Sequence, residues 1–442
     1  MNFIKICLFL VFSSITYTEV NLTSNADNFP RLTKMLHKEV KKDRYPGFLT
    51  LINQNGTTIY SDVVGYSNLE KEELLKKDSL FRIYSMTKPI TGVALMILVD
   101  RGLIDLSDPV SKYIPEFSNT QVLSDDDKKL VKLEKPITVL ELATHTSGLA
   151  YSFSIKGRIK EIYEAENIYP YYAIDNFGGD FSTKKYYPNI CEFSKKVASV
   201  PLAHQPGEKW TYSIGMDILG CVIERASGVS FGQFLQTNIF NPLNMKDTFF
   251  KVPEEKKYRM TNLYGHKKGF DRYGVAISDE IKKSKSNLIL IDSAKESAYY
   301  NSISIEDGGS GLVSTAKDYM TFGLMLLGKG KYKESRILSE ESFKVLSSNQ
   351  LNEKNQRFDA FGFGITVGIS IDSSKLRQKK GDGSFFWGGA AKTKFWVDPE
   401  NNLVLVNMTQ LLGSPKDLGR KIDKLVYKDL KNIEKINKES RY

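Results

Sequence analysis

The sequence predicts an α+β fold: one antiparallel sheet built from both chain ends, with a helical region inserted between them. Three observations carry this. Near the start, Gly47 to Ile52 and Thr57 to Val64 are strand-like runs, separated by the turn-forming Asn53-Gln54-Asn55-Gly56. In the tail, Phe361 to Ile369, Ser384 to Trp387, Lys394 to Val397 and Leu403 to Met408 are four more, and Asp398-Pro399-Glu400-Asn401-Asn402 turns between the last two. Between the two sets, apolar residues mostly recur at helical spacing. With 442 residues, 41% of them apolar, the chain can bury a large core as one big domain or two interleaved ones. No internal repeat is visible.

In chain order, a polar helical stretch from Phe29 to Asp43 precedes the first strand. From Ile90 to Gly102 the pattern is helical and closes at Gly102 as a C-cap does. Asp105 to Val110 turns into a short helix. Ile137 to Leu149 begins with a threonine cap, Thr138, and reads as helix up to Gly148. Tyr151 to Tyr187 reads as irregular and rich in tyrosine. Met216 to Ala226 is helical and stops at Gly228; Phe231 to Phe240 is another helix, capped by Ser230. Lys251 to Asp307 is polar and mixed. Thr315 to Leu327 is a helix ending at Gly328, and Ser414 to Asn437 closes the chain.

The formal charge is +10, but the basic residues are spread widely and no nucleic-acid motif accompanies them, so they read as a soluble basic surface. Met1 to Lys5 is a short basic start, Ile6 to Phe12 an apolar run too short to span a membrane, and Ser13 to Thr18 small and polar. That pattern predicts a signal peptide over residues 1–18 and a secreted or periplasmic protein, with an uncleaved anchor as the alternative. Nothing later is long and apolar enough for a transmembrane helix. Cys7 lies in the leader; Cys191 and Cys221 either pair or remain two buried thiols, and spacing does not decide. Asn21, Asn55 and Asn407 fit the glycosylation pattern, which matters only in a eukaryotic host.

The chemistry centres on Ser85-Met86-Thr87-Lys88, at the mouth of an apolar helical pattern. If Ser85 starts a helix, Lys88 lies one turn on and on the same face. An amine within reach of a hydroxyl at a helix N-terminus is what serine activation without histidine needs. Tyr212, on a loop just before a helix, can present its phenol to Ser85, as a phenolate or sharing a proton with Lys88. Trp387-Gly388-Gly389-Ala390 ends a strand, and its glycines admit close approach to the backbone. The Ala390 amide can then pair with that of Ser85 as an oxyanion hole. Lys392-Thr393 after it reads as a hairpin turn.

Other chemistries fit poorly. His37, His145, His204 and His266 show no metal spacing, and His145 reads as a structural, hydrogen-bonded residue. Gly228-Val229-Ser230-Phe231-Gly232 matches a nucleophile elbow by letter but joins two helical patterns where a strand is required. No Walker or dinucleotide fingerprint occurs, and no metal or organic cofactor is implied.

Five motifs in order resemble the serine β-lactamase-related family, which holds class C β-lactamases, D,D-peptidases and family VIII carboxylesterases. They are Phe81-Arg82-Ile83 before Ser85-x-x-Lys88, Thr144-His145-Thr146-Ser147-Gly148-Leu149, Gln205-Pro206-Gly207 before Tyr212-Ser213, Gly309 to Thr315, and Trp387-Gly388-Gly389. The resemblance covers about residues 30 to 430. It implies a β-lactamase/transpeptidase-like fold: a five-stranded antiparallel sheet flanked by helices, with an all-α region beside it. The expected division is residues 19–85 and 315–442 for the sheet region and 86–314 for the mainly helical region, together one catalytic domain. It also implies acylation of Ser85, proton handling by Lys88 and Tyr212, and oxyanion donors from the amides of Ser85 and Ala390. β-Lactamases of the family carry Tyr-x-Asn, where this chain has Tyr212-Ser213-Ile214, and a carboxylate-holding lysine where it has Trp387. Tyr-Ser and Trp-Gly-Gly resemble the esterase-like branch. The expectation is a serine hydrolase on small or lipophilic esters, its acyl group held by Ile214, Trp387, Gly388 and Gly389. A D,D-peptidase or weak β-lactamase, and a non-catalytic or filament-forming scaffold, are the alternatives. Small-molecule ester or amide substrates are the expected partners, and the oligomeric state stays open.

Overall fold

The computed structural model describes Val20, Leu22 and residues 26–439, apart from 125, 127–128, 169–186, 273–282, 284, 301–304, 357–358, 376–379 and 414–417. The expected signal peptide, the Asn21 glycosylation site and much of the tyrosine-rich stretch lie outside these residues. The sheet is antiparallel and draws on both chain ends, as expected. Its strands are β1 (Gly47–Gln54), β2 (Thr57–Asn68), β3 (Glu73–Leu74), β4 (Phe361–Phe363), β5 (Gly368–Ser370), β6 (Phe385–Gly388), β7 (Lys394–Asp398) and β8 (Leu403–Met408). They lie in the order β4-β5-β6-β7-β8-β1-β2-β3, eight strands where five were expected. Short strands at the edges make the difference. Phe361 to Ile369 is a hairpin and not one strand, because Thr366 takes a left-handed turn at φ 64°. The first hairpin turns at Asn55 and Gly56, both with positive φ, as a two-residue turn between twisted strands requires.

The central strands are buried on both faces, so they read as unbroken apolar runs. Along β8, Leu403 and Leu405 join one core cluster while Val404, Val406 and Met408 join the other. Helices α1 (Pro30–Lys41) and the closing Gly419–Glu439 cover the first face. Thr87–Asp100 (α2) and Ala316–Leu327 are part of the core on the second. α2 is buried from Thr87 to Leu98, the pattern of a helix running through a core and not over it. Buried Asn407 accepts a hydrogen bond from Thr50 Oγ1 at 2.7 Å, which excludes it as a folded-state glycosylation site.

Other expectations change in detail. The helix begun by Thr138, Val139–Ala143 (α3), has a full capping box with Glu141 but ends well short of Gly148, where His145 takes a left-handed conformation. The stretch expected to be irregular contains the helix Arg158–Ala165. Phe231 to Phe240 begins as α-helix, capped by Ser230 as expected, and continues as a π-turn from Gln236. The mixed stretch contributes strands Leu263–His266 and Leu288–Asp292 to a small sheet completed by Leu411–Leu412. Cys191 and Cys221 form a disulfide, Cα atoms 4.9 Å apart, between the helices Ile190–Ala198 and Gly215–Ser227 (α4). Among the described residues no helix is long and apolar enough to cross a membrane.

Arg82 ties these parts together directly ahead of Ser85. It lies on the short strand Phe81–Arg82, paired with Val313–Ser314. Its fully buried guanidinium donates to Asp292 Oδ2 at 2.7 Å, the Thr261 carbonyl at 2.6 Å and Ser297 Oγ at 2.9 Å. Gln410 accepts from its amide at 3.2 Å and donates to its carbonyl at 3.0 Å. Removing one member of a buried ion pair leaves the other charge uncompensated. Arg82→Ala is expected to lower stability by about 3–5 kcal/mol, with Asp292→Ala in the same chain restoring part of the loss. Urea midpoints at constant m-value measure both. An unmoved midpoint in the single variant would remove this pair from the supports of the Ser85 segment.

Candidate active site

Ser85 sits in a 3₁₀ turn, Tyr84–Met86, that runs straight into α2. Tyr84 before it holds φ at 45°, a left-handed conformation uncommon for a bulky side chain. The turn is braced from below. A Cβ on Gly389 would stand 2.3 Å from the Ile83 carbonyl oxygen, so only glycine lets the two backbones meet. Thr393 Oγ1 donates to the same carbonyl at 3.3 Å, and Lys392 makes the hairpin turn at φ 65°. This seats the segment leading into Ala390 beside the turn that carries Ser85. Gly388 and Ala390 are exposed there and Trp387 is half-buried.

The structure brings Ser85, Lys88 and Tyr212 together. Tyr212 Oη donates to Ser85 Oγ at 2.7 Å. Lys88 Nζ, fully buried, donates to Ser85 Oγ at 3.2 Å, Tyr151 Oη at 3.1 Å and the Gly309 carbonyl at 2.7 Å. Three acceptors match the three N–H bonds of an ammonium. The nitrogen also lies 5.2 Å and 4.9 Å from the ring centroids of Tyr151 and Tyr212, whose faces favour a cation.

Tyr151, Asp217 and Asp307 complete the site and were not singled out from the sequence. Tyr151 Oη donates to Asp217 Oδ2 at 3.2 Å. The Gly309 amide donates to Asp217 Oδ1 at 3.1 Å and Asp307 Oδ1 at 2.6 Å. Burial, and next the charge of neighbouring Asp307, hold the Asp217 carboxyl well above the usual carboxylate range. The Tyr151 amide reaches the Tyr212 carbonyl at 3.2 Å, so the two tyrosine segments run side by side. Tyr151 lies two residues past the Thr-Ser-Gly-Leu motif, and that adjacency was its only signal.

His145 is structural, as expected. Its Nδ1 accepts from the Ser213 amide at 3.1 Å and lies 3.0 Å from Ser213 Oγ, and its ring packs edge-on to Tyr212 at 4.7 Å. Burial, with the nearby Lys88 charge, pushes its imidazole well below the ordinary range, so it stays neutral. Its partner Ser213 fixes the loop that presents Tyr212. Ile214 is a correction: it is fully buried in the main core and does not reach the cleft. The helix it begins, α4, is packed inward from its first turn. The apolar wall is instead aromatic. Tyr212 lies 5.8 Å from Trp387 and 6.3 Å from Trp210, ring centre to ring centre. Phe153, 64% exposed, stacks on Tyr151 at 5.1 Å. Among the described residues, no group of histidine, cysteine and acidic side chains is placed to hold a metal.

A family model described as beta-lactamase matches residues 32–427. Protein Rv1367c of Mycobacterium tuberculosis is 30% identical over 378 residues, 82% of this chain and 85% of that protein. Esterase EstB of Burkholderia gladioli is 31% identical over 228 residues, 52% of this chain and 53% of that protein. The solved structure of EstCE1, described as a hydrolase with promiscuous acyltransferase activity, superposes with a TM-score of 0.72 at 21% identity, over 91% of this chain and 99% of that one.

The raised Asp217 carboxyl sets a pH dependence. A group that binds its proton more tightly when folded contributes stability that is fully present below its unfolded pKa and lost as pH rises through the folded one. Stability is therefore expected to fall on this account as pH rises above about 4, and Asp217→Asn to flatten that slope. Urea unfolding across that range tests it; parallel curves for the two proteins would show that Asp217 does not keep its proton on folding.

Proposed function

Since this chain belongs to the beta-lactamase family of serine hydrolases and acyltransferases, we propose that it is a serine esterase acting through an acyl-enzyme on Ser85. The observation that carries the reading is Ser85 Oγ within 2.7 Å of Tyr212 Oη and 3.2 Å of Lys88 Nζ, under an aromatic wall. The base is Tyr212 as its phenolate, beside the Lys88 ammonium: Ser85 Oγ bonds to the ester carbonyl carbon as its proton passes to Tyr212 Oη. The carbonyl oxygen takes the electron pair and is held by the amides of Ser85 and Ala390. Collapse expels the alcohol, which takes that proton from Tyr212; water then attacks the acyl-enzyme, giving its proton to Tyr212, and collapse returns the proton to Ser85 as the acid leaves. Tyr151, held by Asp217, keeps Lys88 aimed at Ser85 and is a positioning residue.

Trp387 and the exposed Phe153 support an ester with an apolar acyl group. A β-lactam or peptide brings a carboxylate, and Trp387 stands where β-lactamases of the family place a lysine to hold it. Esterase EstB among the relatives supports the same choice. A second reading is transfer of the acyl group to an apolar alcohol in place of water. It is favoured by the aromatic rim, which can seat such an alcohol, and by the description of EstCE1. We also place the protein in an exported, oxidising compartment; the Cys191–Cys221 disulfide supports this.

The test is a parallel assay of wild type and Ser85→Ala on short-chain p-nitrophenyl esters and a chromogenic cephalosporin. Ester turnover is expected in the wild type, with a loss of at least about 10³-fold in Ser85→Ala and about 10²–10⁴-fold in Tyr212→Phe. Rapid cephalosporin turnover without ester turnover would sink the esterase reading. If neither substrate reacts and a fluorescent phosphonate fails to label Ser85, a scaffold role takes its place.

A further inference from the structure

Beyond Ser85 the fold keeps a second group of charges. Lys380, Lys394 and Arg420 line a cavity of about 300 Å³ whose apolar wall includes Trp210, Phe363 and Trp387. An adjoining cavity of about 230 Å³ shares Trp387, Lys394 and Arg420 with it. Asp423 is the one acidic residue among those lining either cavity, and it is already engaged. Its Oδ1 accepts from Lys394 Nζ at 2.6 Å and from Trp396 Nε1 at 2.9 Å. Its Oδ2 forms an ion pair with Lys380 Nζ at 3.0 Å.

Lys380 is therefore an under-satisfied buried cation. Its side chain is 3% exposed, with the Asp423 contact and the faces of Phe386 and Trp396 at 4.6 Å and 5.5 Å around its nitrogen. Asp423 is one acceptor against its three N–H bonds, and no other acceptor among the described residues meets it. Burial draws its pKa down to about 8 despite Asp423. Arg420 is exposed in the first turn of the closing helix, with no ion-pair partner among the described residues. A cation at that end opposes the helix dipole, which favours an anion there. Unused donors on two cations and an aromatic channel beside them describe one kind of ligand.

We propose that this cavity binds the carboxylate end of an elongated apolar acid, its hydrocarbon lying along Trp210, Phe363 and Trp387 and its head meeting Arg420 and Lys380. Trp387 also packs on Tyr212, so the cavity continues the aromatic wall of the catalytic site. The ligand is then the far end of a substrate or product: an ester carrying a carboxylate remote from the scissile bond. That last step rests on the esterase reading; binding of the acid does not.

The test is titration of tryptophan fluorescence in full-length Ser85→Ala protein with octanoate and with its neutral amide. Octanoate is expected to bind about tenfold more tightly, the scale of a hydrogen bond to a charged group. That advantage should shrink in high salt, and further in Lys380→Met and Arg420→Gln. Equal binding of acid and amide, or an advantage intact in both variants, would overturn the proposal. Lys380→Met strands Asp423 and can fail to fold; Arg420→Gln alters an exposed side chain and then decides the matter. Turnover of p-nitrophenyl octanoate and the p-nitrophenyl monoester of suberic acid completes the set, with the lower KM expected for the charged ester. Inert esters with selective octanoate binding would defeat the esterase reading and leave the site; ester turnover with equal binding of acid and amide would do the opposite.

Discussion

The structure depends first on the burial of Lys88. An ammonium taken out of water costs several kcal/mol unless its donors are met. Here each N–H has an acceptor, and each acceptor comes from a different part of the chain: Ser85 one turn away, Tyr151 from the loop after α3, and the Gly309 carbonyl. The glycines at 308 and 309 follow from this. A Cβ on Gly309 would stand 2.7 Å from both Asp217 carboxylate oxygens, and one on Gly308 would stand 2.3 Å from the Met216 carbonyl oxygen. The backbone can approach the amine only because those side chains are missing.

The same requirement reaches into the scaffold. Ser85 and Lys88 hold their geometry because α2 is buried nearly all round and cannot shift without opening the core. Ahead of it, Arg82 gathers Asp292, Thr261, Ser297 and Gln410 into one buried polar network. Satisfied networks of this kind are rigid, and partly satisfied ones are costly. The turn that carries Ser85 thus hangs between an apolar helix and a polar knot. Its left-handed Tyr84 is a strained conformation that such surroundings can enforce.

Chemistry and specificity divide between two kinds of surface. Reactive hydroxyls and the amine are buried or half-buried with fixed partners, while the rim is a set of aromatic faces: Phe153, Trp387 and Trp210. Aromatic rings give large apolar contact with few rotatable bonds, which suits an uncharged acyl group. In the proposed reading, charge recognition lies away from Ser85, at Lys380 and Arg420. A site arranged in this way separates bond cleavage from recognition of a distant end.

Much of this was legible in the sequence because its signals are local. A serine and lysine three apart on a helix must share a face, glycine after a helix marks its end, and residues two apart on a strand such as β8 share one face of the sheet. Tyr212 was legible from its loop position and the motif around it. The sequence also pointed to one antiparallel sheet built from both chain ends, though not to the short strands that extend it to eight. What local signals could not supply were partners distant in the chain. Tyr151 lies 63 residues from Lys88, Gly309 lies 221 away, and Lys380, on a loop, lies 40 residues from Arg420 in the first turn of the closing helix. Ile214 was misjudged for the same reason: composition says that it is apolar, and only packing says that it faces the core and not the cleft. The sequence by itself determined which groups can react and which elements carry them. Tertiary structure decided which groups meet, because the contacts that satisfy a buried amine, or leave a buried lysine wanting, form only when remote segments fold onto one another.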